Sequence, residues 1–223
     1  MSEGIYNVTL NCPACNTNIE VTKVKVGAGK ATVKDADFCM HYEGVNPILY
    51  DAYVCSNCGY ASMQAQFNDL KQDQRQIIAD KISSKWKARS FTGERDYAAA
   101  LDAYKLVLYT QNVLDRQAST LARVCHRIAW IYRYMGDVNE KVFIKHALDK
   151  YCEAYETETF PIDKLDQYTC MYLIAELNRR IGDDEKAIIW FSRIIGSPQA
   201  RQNKRLMEMV RDQYQLVKQQ KQQ

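Results

Sequence analysis

Two Cys-x-x-Cys pairs carry the clearest chemistry in this chain of 223 residues. The first pair is Cys12 and Cys15 in the sequence CPAC, and the second is Cys55 and Cys58 in CSNCGY. Two intervening residues let both thiolates of a pair bind one ion, and four thiolates around a metal leave no open position for a substrate. The spacing therefore predicts one structural zinc ion in a zinc-ribbon-like module. An iron centre on the same four sulfurs is the less favoured alternative.

The residue that follows each pair supports this interpretation. Gly59 directly follows Cys58 and supplies the positive φ that often closes such a turn. Asn16 follows Cys15 in the same place, and asparagine tolerates a positive φ better than most residues with a side chain. We therefore expect two similar turns, called knuckles below, to hold the metal.

A third cysteine and a histidine, Cys39 and His41, lie between the two pairs in the stretch DADFCMHYEG. Because four thiolates already fill a tetrahedral site, the simplest interpretation of Cys39 is a loop residue that packs beside Phe38. The alternatives are an extra or nearby ligand, or a redox-active thiol. Catalysis by Cys39 with His41 is weaker, since no phosphate loop, nucleophile elbow or paired-histidine metal motif accompanies them.

The elements that must position these residues change character near residue 61. Residues 19–33 alternate apolar and polar side chains around a glycine-containing turn, which predicts a β-hairpin, and a third strand is expected over 48–54. Beyond residue 61 the periodicity predicts seven helices, over 62–90, 94–113, 116–135, 138–157, 164–181, 184–195 and 200–219. The predicted fold is α+β and mostly α, with a module over 1–61 and a helical domain over 62–223.

Two predicted helical pairs resemble the tetratricopeptide repeat. Residues 169–198 place Ala175, Ala187 and Phe191 at the small and aromatic positions of that repeat, around a Gly-Asp turn. Residues 121–155 are similar and also contain a Gly-Asp turn. Small residues at these positions let paired helices approach closely, and stacked units bury a continuous core. We therefore expect a tetratricopeptide-like bundle or solenoid, with a plain helical bundle as the alternative.

By resemblance to tetratricopeptide proteins, the first helix of each unit would line a concave groove with basic and aromatic side chains. The predicted groove residues are Arg123, His126, Arg127, Trp130, Arg133, Tyr172, Arg179 and Arg180. Arginines beside aromatic rings suit a protein or peptide partner with acidic or carboxylate groups. The alternative is that these arginines pair with acidic residues on neighbouring helices, or are solvated.

Charge and hydropathy bear on the other classes of partner. The net charge of +3 is uneven: residues 1–61 carry −2, whereas residues 199–223 carry +4 and are expected to form a basic helix and tail that frays over KQQKQQ. Nucleic-acid binding through the ribbon or the tail is an alternative, though the ribbon is net acidic.

No apolar run approaches the about 18 residues of a membrane span. The first fifteen residues lack a secretory signal, so we expect a cytoplasmic protein with reduced cysteines.

Taken in order, five segments resemble an uncharacterised bacterial family that is known only as a domain of unknown function. The segments are CPAC, DADFCMHYEG, NPILYDAYVCSNCGYA, RIAWIYRYMGD and YLIAELNRRIGDDEKAIIWFSRII. The resemblance implies a cytoplasmic bacterial protein and supplies no activity. The residues themselves predict a non-enzymatic, zinc-binding protein-interaction or adaptor module. The alternatives are a nucleic-acid-binding or regulatory protein, and a thiol-based redox sensor or enzyme that uses Cys39.

Overall fold

The computed structural model describes residues 3–220, in which six short β-strands precede seven α-helices. With 56% of the residues helical, the predicted α+β, mostly α class is confirmed. The strands are β1 (Ile5–Asn11), β2 (Asn18–Val24), β3 (Gly29–Lys34), β4 (Met40–Gly44), β5 (Ala52–Val54) and β6 (Ala61–Met63). The helices are α1 (Gln72–Lys81), α2 (Tyr97–Val113), α3 (Ala118–Met135), α4 (Asn139–Thr157), α5 (Gln167–Ile181), α6 (Asp184–Gly196) and α7 (Lys204–Gln220).

The strands form three separate antiparallel pairs, β1 with β2, β3 with β4, and β5 with β6. The predicted hairpin over residues 19–33 is therefore wrong, although both of its strands exist. β2 pairs with β1, which alternates in the same way and was not predicted, and β3 pairs with β4. The predicted strand over 48–54 is shorter than expected, because Pro47–Tyr50 forms a 3₁₀ turn before β5 begins.

The predicted helix over 62–90 is also wrong over most of its length. Phe67, Leu70, Ile78 and Ile82 have helix-like spacing, and all four are buried in one core cluster. Only α1 within this range is an α-helix, because β6 pairs with β5 and takes the first residues of the range into a sheet. The six later helices agree with their predicted bounds to within four residues.

The chain forms two compact units. The first unit comprises the described residues up to Lys34, then Met40–Arg116 and Trp130–Asp137. Its core contains Cys12, Cys55 and Cys58 beside apolar residues from β2, β5 and α1, and α2 packs against β5 and β6. The predicted module over residues 1–61 and the helical domain over 62–223 stay predictions.

The second unit comprises Asp35–Cys39, Gln117–Ala129 and the described residues from Val138 onward. In it α5 packs against α4 and α6, and α6 packs against α7. Ala175, Ala187 and Phe191 are fully buried. Neighbouring helices and buried small residues are what a tetratricopeptide unit requires, and the repeat assignment stays a prediction.

The C-terminal segment forms a helix over most of its length. The predicted helix over 200–219 corresponds to a 3₁₀ turn at Ala200–Gln202 followed by α7. Of the predicted frayed tail over 218–223, residues 218–220 belong to α7, and residues 221–223 lie outside the described residues. Within residues 3–220, no helix is both long enough and apolar enough to cross a membrane.

Candidate metal centre

The four cysteines of the two pairs lie together, with every sulfur within 4.8 Å of the other three. The sulfurs of Cys12 and Cys58 are 3.8 Å apart, and those of Cys15 and Cys55 are 3.7 Å apart. Thiolates bound about 2.3 Å from a central zinc ion stand about 3.8 Å from one another at the corners of a tetrahedron. The structure thus brings the predicted ligand set together at distances that fit one metal ion.

The backbone folds each pair into the same knuckle. Asn16 donates its amide hydrogen to the carbonyl of Cys12 (2.9 Å), as Gly59 does to the carbonyl of Cys55 (3.0 Å). Asn16 and Gly59 have positive φ values of 56° and 76°. The expectation that Asn16 takes the place of the glycine in the first knuckle is confirmed. The amide of Cys58 also donates to the Cys55 sulfur (3.4 Å), so the second knuckle directs a hydrogen bond at a ligand atom.

Each knuckle is also the turn of a β-hairpin. The first knuckle connects β1 to β2, whose last paired residues are Asn11 and Asn18. The second connects β5 to β6, whose last paired residues are Val54 and Ala61. Two-stranded hairpins are marginal on their own. Here each short sheet ends in the two ligands that it supplies, so strand pairing fixes the position of the sulfurs.

Burial and mutual contact control the protonation of the four thiols. Three are buried and Cys15 is half-buried. Hydrogen bonds with Cys12 and Cys58 lower the pKa of Cys55, whereas the contact with Cys55 raises the pKa of Cys12. The contacts with Cys12 and Cys55 raise the pKa of Cys58. Burial raises the pKa of Cys15, but hydrogen bonds with Thr17 and Asn57 outweigh it, so this pKa is lowered as well. Negative charge is therefore stabilised on Cys15 and Cys55, while deprotonation of Cys12 and Cys58 needs a cation to compensate it.

Residues outside the four ligands hold the knuckles. Asn57 donates from Nδ2 to the Cys15 sulfur (3.6 Å) and to Oγ1 of Thr17 (3.1 Å). Trp86 donates from its indole nitrogen to the carbonyl oxygen of Ser56 (2.9 Å). Such outer contacts orient metal ligands. Sequence reasoning missed Trp86 because it was assigned to a long helix and no local spacing ties it to the second knuckle.

Neither Cys39 nor His41 belongs to the four-sulfur group. Cys39 is fully buried in the second unit, next to Phe38, whose φ is 69°. His41 lies on β4 in the first unit, where its ring meets that of Tyr134 edge to face at 5.7 Å. Their assignment as extra or nearby ligands stays a prediction.

The predicted groove residues divide between the two units. Trp130 and Arg133 belong to the first unit, in which Trp130 is buried and Arg133 is half-buried. The other six belong to the second unit: Arg123, His126, Arg127, Tyr172, Arg179 and Arg180. Whether all eight line one groove stays a prediction.

Several of these side chains already meet acidic groups within the second unit. Arg123 pairs with Asp163 at 2.9 Å, in an exposed position. Arg179 makes a bidentate contact with the fully buried Glu176, at 2.8 and 2.7 Å, which raises the pKa of this arginine. Arg180 donates to Glu176 at 2.9 Å as well. These three arginines thus pair with acidic residues of the chain, as the alternative supposed, but the acids lie on the same helix (Glu176) or between helices (Asp163) and not on a neighbouring helix.

Comparison with known proteins gives one match. A family model described as an uncharacterized protein conserved in bacteria (DUF2225) matches residues 5–217. None of the curated proteins and none of the solved structures compared with the chain matches it. The match extends from the first residue of β1 into α7 and includes all four clustered cysteines.

Proposed function

Since the chain belongs to this bacterial family of uncharacterized proteins, DUF2225, we propose a function from its own residues. The chain is a non-enzymatic protein-interaction module of the bacterial cytoplasm. It holds one structural zinc ion at Cys12, Cys15, Cys55 and Cys58. It binds a partner protein with acidic groups through arginines of the helical unit.

The spacing of the four sulfurs carries the metal part of the proposal. Sulfur separations of 3.7 and 3.8 Å match the edges of a tetrahedral zinc–thiolate site. The ion would join two hairpin turns that are 40 or more residues apart in sequence, as the Cys15–Cys55 contact spans 40 residues. Small β units with little core of their own commonly depend on such a metal for folding.

A closed site favours a structural role over catalysis. Four protein thiolates leave zinc no vacant position for a water molecule or a substrate. Cys39, the candidate for thiol chemistry, is fully buried, so a reagent in solution does not reach its sulfur in the folded chain. Both observations support an interaction module over a redox enzyme.

Arg123 offers the simplest contact for a partner. Its pair with Asp163 leaves 37% of the arginine side chain and 60% of the aspartate side chain exposed. Exposed ion pairs are worth about 0–1 kcal/mol, so a partner carboxylate can replace Asp163 at small cost. Arg127 is half-buried one helical turn further along α3, which suits recognition of an extended acidic segment.

Metal analysis of the purified chain tests the first part of the proposal. We expect about one zinc ion per chain, and a Cys15→Ser variant that retains much less. Cys152→Ser is the matched control, because Cys152 is half-buried on α4 and lies outside the four-sulfur group. Iron in place of zinc, or equal zinc content in both variants, would refute the assignment.

Partner capture tests the second part. The tagged chain should retain an acidic partner from a bacterial lysate, and Arg123→Ala combined with Arg127→Ala should reduce capture at least about fivefold. The control combines Lys141→Ala with Lys145→Ala, which removes the same charge from exposed positions on α4. Equal capture by the two double variants would exclude these arginines as the binding surface.

A further inference from the structure

The segment Asp35–Cys39 is part of the second unit, where it meets side chains that were predicted to bind an acidic peptide. One carboxylate oxygen of Asp37 lies 3.2 Å from Nη2 of Arg180, and the other lies 3.2 Å from Nε2 of His126. A carboxylate between an arginine and a histidine is the arrangement that we expected for a bound partner. In this structure the carboxylate comes from the chain itself.

The rest of the segment also makes contacts typical of a bound peptide. The hydroxyl of Tyr172 donates to the carbonyl of Ala36 at 2.8 Å. The ring of Phe38 packs against the ring of Tyr172, with centroids 5.6 Å apart. The segment closes on itself, because the amide of Phe38 donates to the carbonyl of Asp35 at 2.9 Å. One acidic side chain, one main-chain carbonyl and one aromatic ring are thus recognised by His126, Tyr172 and Arg180.

The charges around this segment select an acidic occupant. Asp37 is fully buried, and His126 is 3% exposed. The nearby Glu176 is also fully buried, and it pairs with both Arg179 and Arg180. If Asp37 left, two arginines would share one buried carboxylate and His126 would lose its acidic neighbour. Because a largely buried arginine that loses one of its two carboxylate partners is left with uncompensated positive charge, the site favours a replacement that brings a carboxylate.

Two opposing properties determine how firmly the segment holds its place. Lys34 and Met40, its neighbours in the chain, continue the polypeptide on both sides, so the segment is present at a high effective concentration. Against this, Phe38 has a φ of 69°, a conformation that bulky residues rarely adopt. This strain weakens the hold of the segment, so a separate peptide at sufficient concentration can compete, with an apparent affinity reduced by the fraction of time that the site is vacant.

We propose that residues Asp35–Cys39 occupy a peptide-binding site, which a partner segment of Asp-x-Asp-aromatic type enters by replacing them. The proposal rests on the proposed function, because it names the partner chemistry of an interaction module. His126, Tyr172 and Arg180 are the residues that recognise both occupants. The chain's own segment then keeps the site closed until the partner arrives.

A fluorescent peptide with the sequence of residues 33–41, carrying serine in place of the cysteine, is the probe. Full-length, zinc-loaded chain is titrated with it in two forms, wild type and Phe38→Ala. This substitution removes the ring that packs on Tyr172 and leaves Asp37 in place. Because the internal competitor is weakened, we expect the peptide to bind Phe38→Ala at least about tenfold more tightly than wild type.

Two controls show whether the peptide uses the proposed site. A peptide with alanine in place of the phenylalanine loses the ring that packs on Tyr172 and should bind Phe38→Ala several-fold more weakly than the probe does. A peptide with asparagine in place of both aspartates should not bind. Equal affinity of the peptide with and without both changes would overturn the proposal.

Hydrogen exchange on the wild-type chain tests, without any substitution, whether the peptide displaces Asp35–Cys39. Excess peptide should accelerate exchange of the Cys39 amide, because Cys39 is fully buried in the second unit and becomes accessible to solvent when the segment leaves. Unchanged exchange at saturating peptide, or no gain in affinity for folded Phe38→Ala, would make the segment a permanent part of the helical unit. The proposed function would survive that result if partner capture still depended on Arg123 and Arg127.

Discussion

The indole ring of Trp86 lies against the backbone of Gly59, so that a Cβ atom on Gly59 would come within 2.6 Å of ring atoms Cδ2 and Cε3. The same ring system donates a hydrogen bond to Ser56 in the middle of the second knuckle. Trp86 therefore covers the turn that supplies two of the four sulfurs. An alteration at Gly59 should disturb both the fold and the metal site.

We expect Gly59→Ala to lower the free energy of unfolding by about 2–5 kcal/mol, which combines the cost of a positive φ with that of overpacking. Gly93→Ala is the matched control, because its φ of 93° is also positive and nothing lies within 4 Å of the new Cβ. The control should lose only about 1–2 kcal/mol. Urea unfolding of both variants measures the difference, and equal losses would show that the Trp86 contact is unimportant.

Removal of the metal should destabilise the first unit. Strong chelation leaves four close thiols, of which only some can lose their protons without a cation. We expect the midpoint of thermal unfolding to fall by about 10 °C, equivalent to about 3 kcal/mol for a chain of this size. Calorimetry with and without chelator measures the shift. Cys15→Ser should already unfold at the lower temperature and should not respond to chelator; a chelator-sensitive Cys15→Ser chain would contradict the assignment.

Two tyrosines that pack on Phe67 should respond oppositely to loss of the hydroxyl. Tyr60 donates to the carbonyl of Phe67 at 3.0 Å. Within residues 3–220, no hydrogen-bond partner lies near the buried hydroxyl of Tyr53. Tyr60→Phe should therefore destabilise the chain by about 1 kcal/mol, whereas Tyr53→Phe should be neutral or stabilising by up to about 1 kcal/mol. Chemical denaturation of the two variants in parallel provides the test, and a similar loss in both would contradict it.

Stability at alkaline pH should depend on Tyr172. Burial raises the pKa of Tyr172 above its usual value of 10, so the folded chain keeps a proton that the unfolded chain releases. This contribution is complete below about pH 10 and is lost as the pH rises above it. Above about pH 10, the free energy of unfolding should therefore fall more steeply with pH for wild type than for Tyr172→Phe, by up to about 1.4 kcal/mol per pH unit. Parallel slopes for the two proteins between pH 9 and 11 would contradict the prediction.

Local patterns made the four ligands and six of the helices predictable. The geometry of a Cys-x-x-Cys turn is determined within about five residues, as the shared hydrogen bonds of Asn16 and Gly59 show. Several helix starts are equally local, because Asp96 and Asp166 cap α2 and α5 by accepting hydrogen bonds from amides two or three residues later. Such signals lie in consecutive residues and can be recognised without a structure.

Long-range partners could not be predicted in the same way. Alternation in β2 indicates a strand, but it does not say whether β1 or β3 pairs with it. The contact between Asp37 and His126 joins residues 89 positions apart. The stretch DADFC is the loop that the sequence predicts, but neither Asp37 nor His126 carries a local sign of the other, so their contact could not be predicted. The long helix over 62–90 was predicted wrongly for a related reason. Residues buried in a core can have the three- or four-residue spacing of a helix even where the chain forms short turns.

The unequal exposure of the four sulfurs determines the order in which they would release a bound metal ion. Cys15 is half-buried, whereas Cys12, Cys55 and Cys58 are buried. A competing chelator or an oxidant therefore reaches the first knuckle before the second, which Trp86 covers. Release of the ion would begin at Cys15 and would be governed by how fast that sulfur detaches, so the lifetime of the bound metal can be changed there without altering the other three ligands.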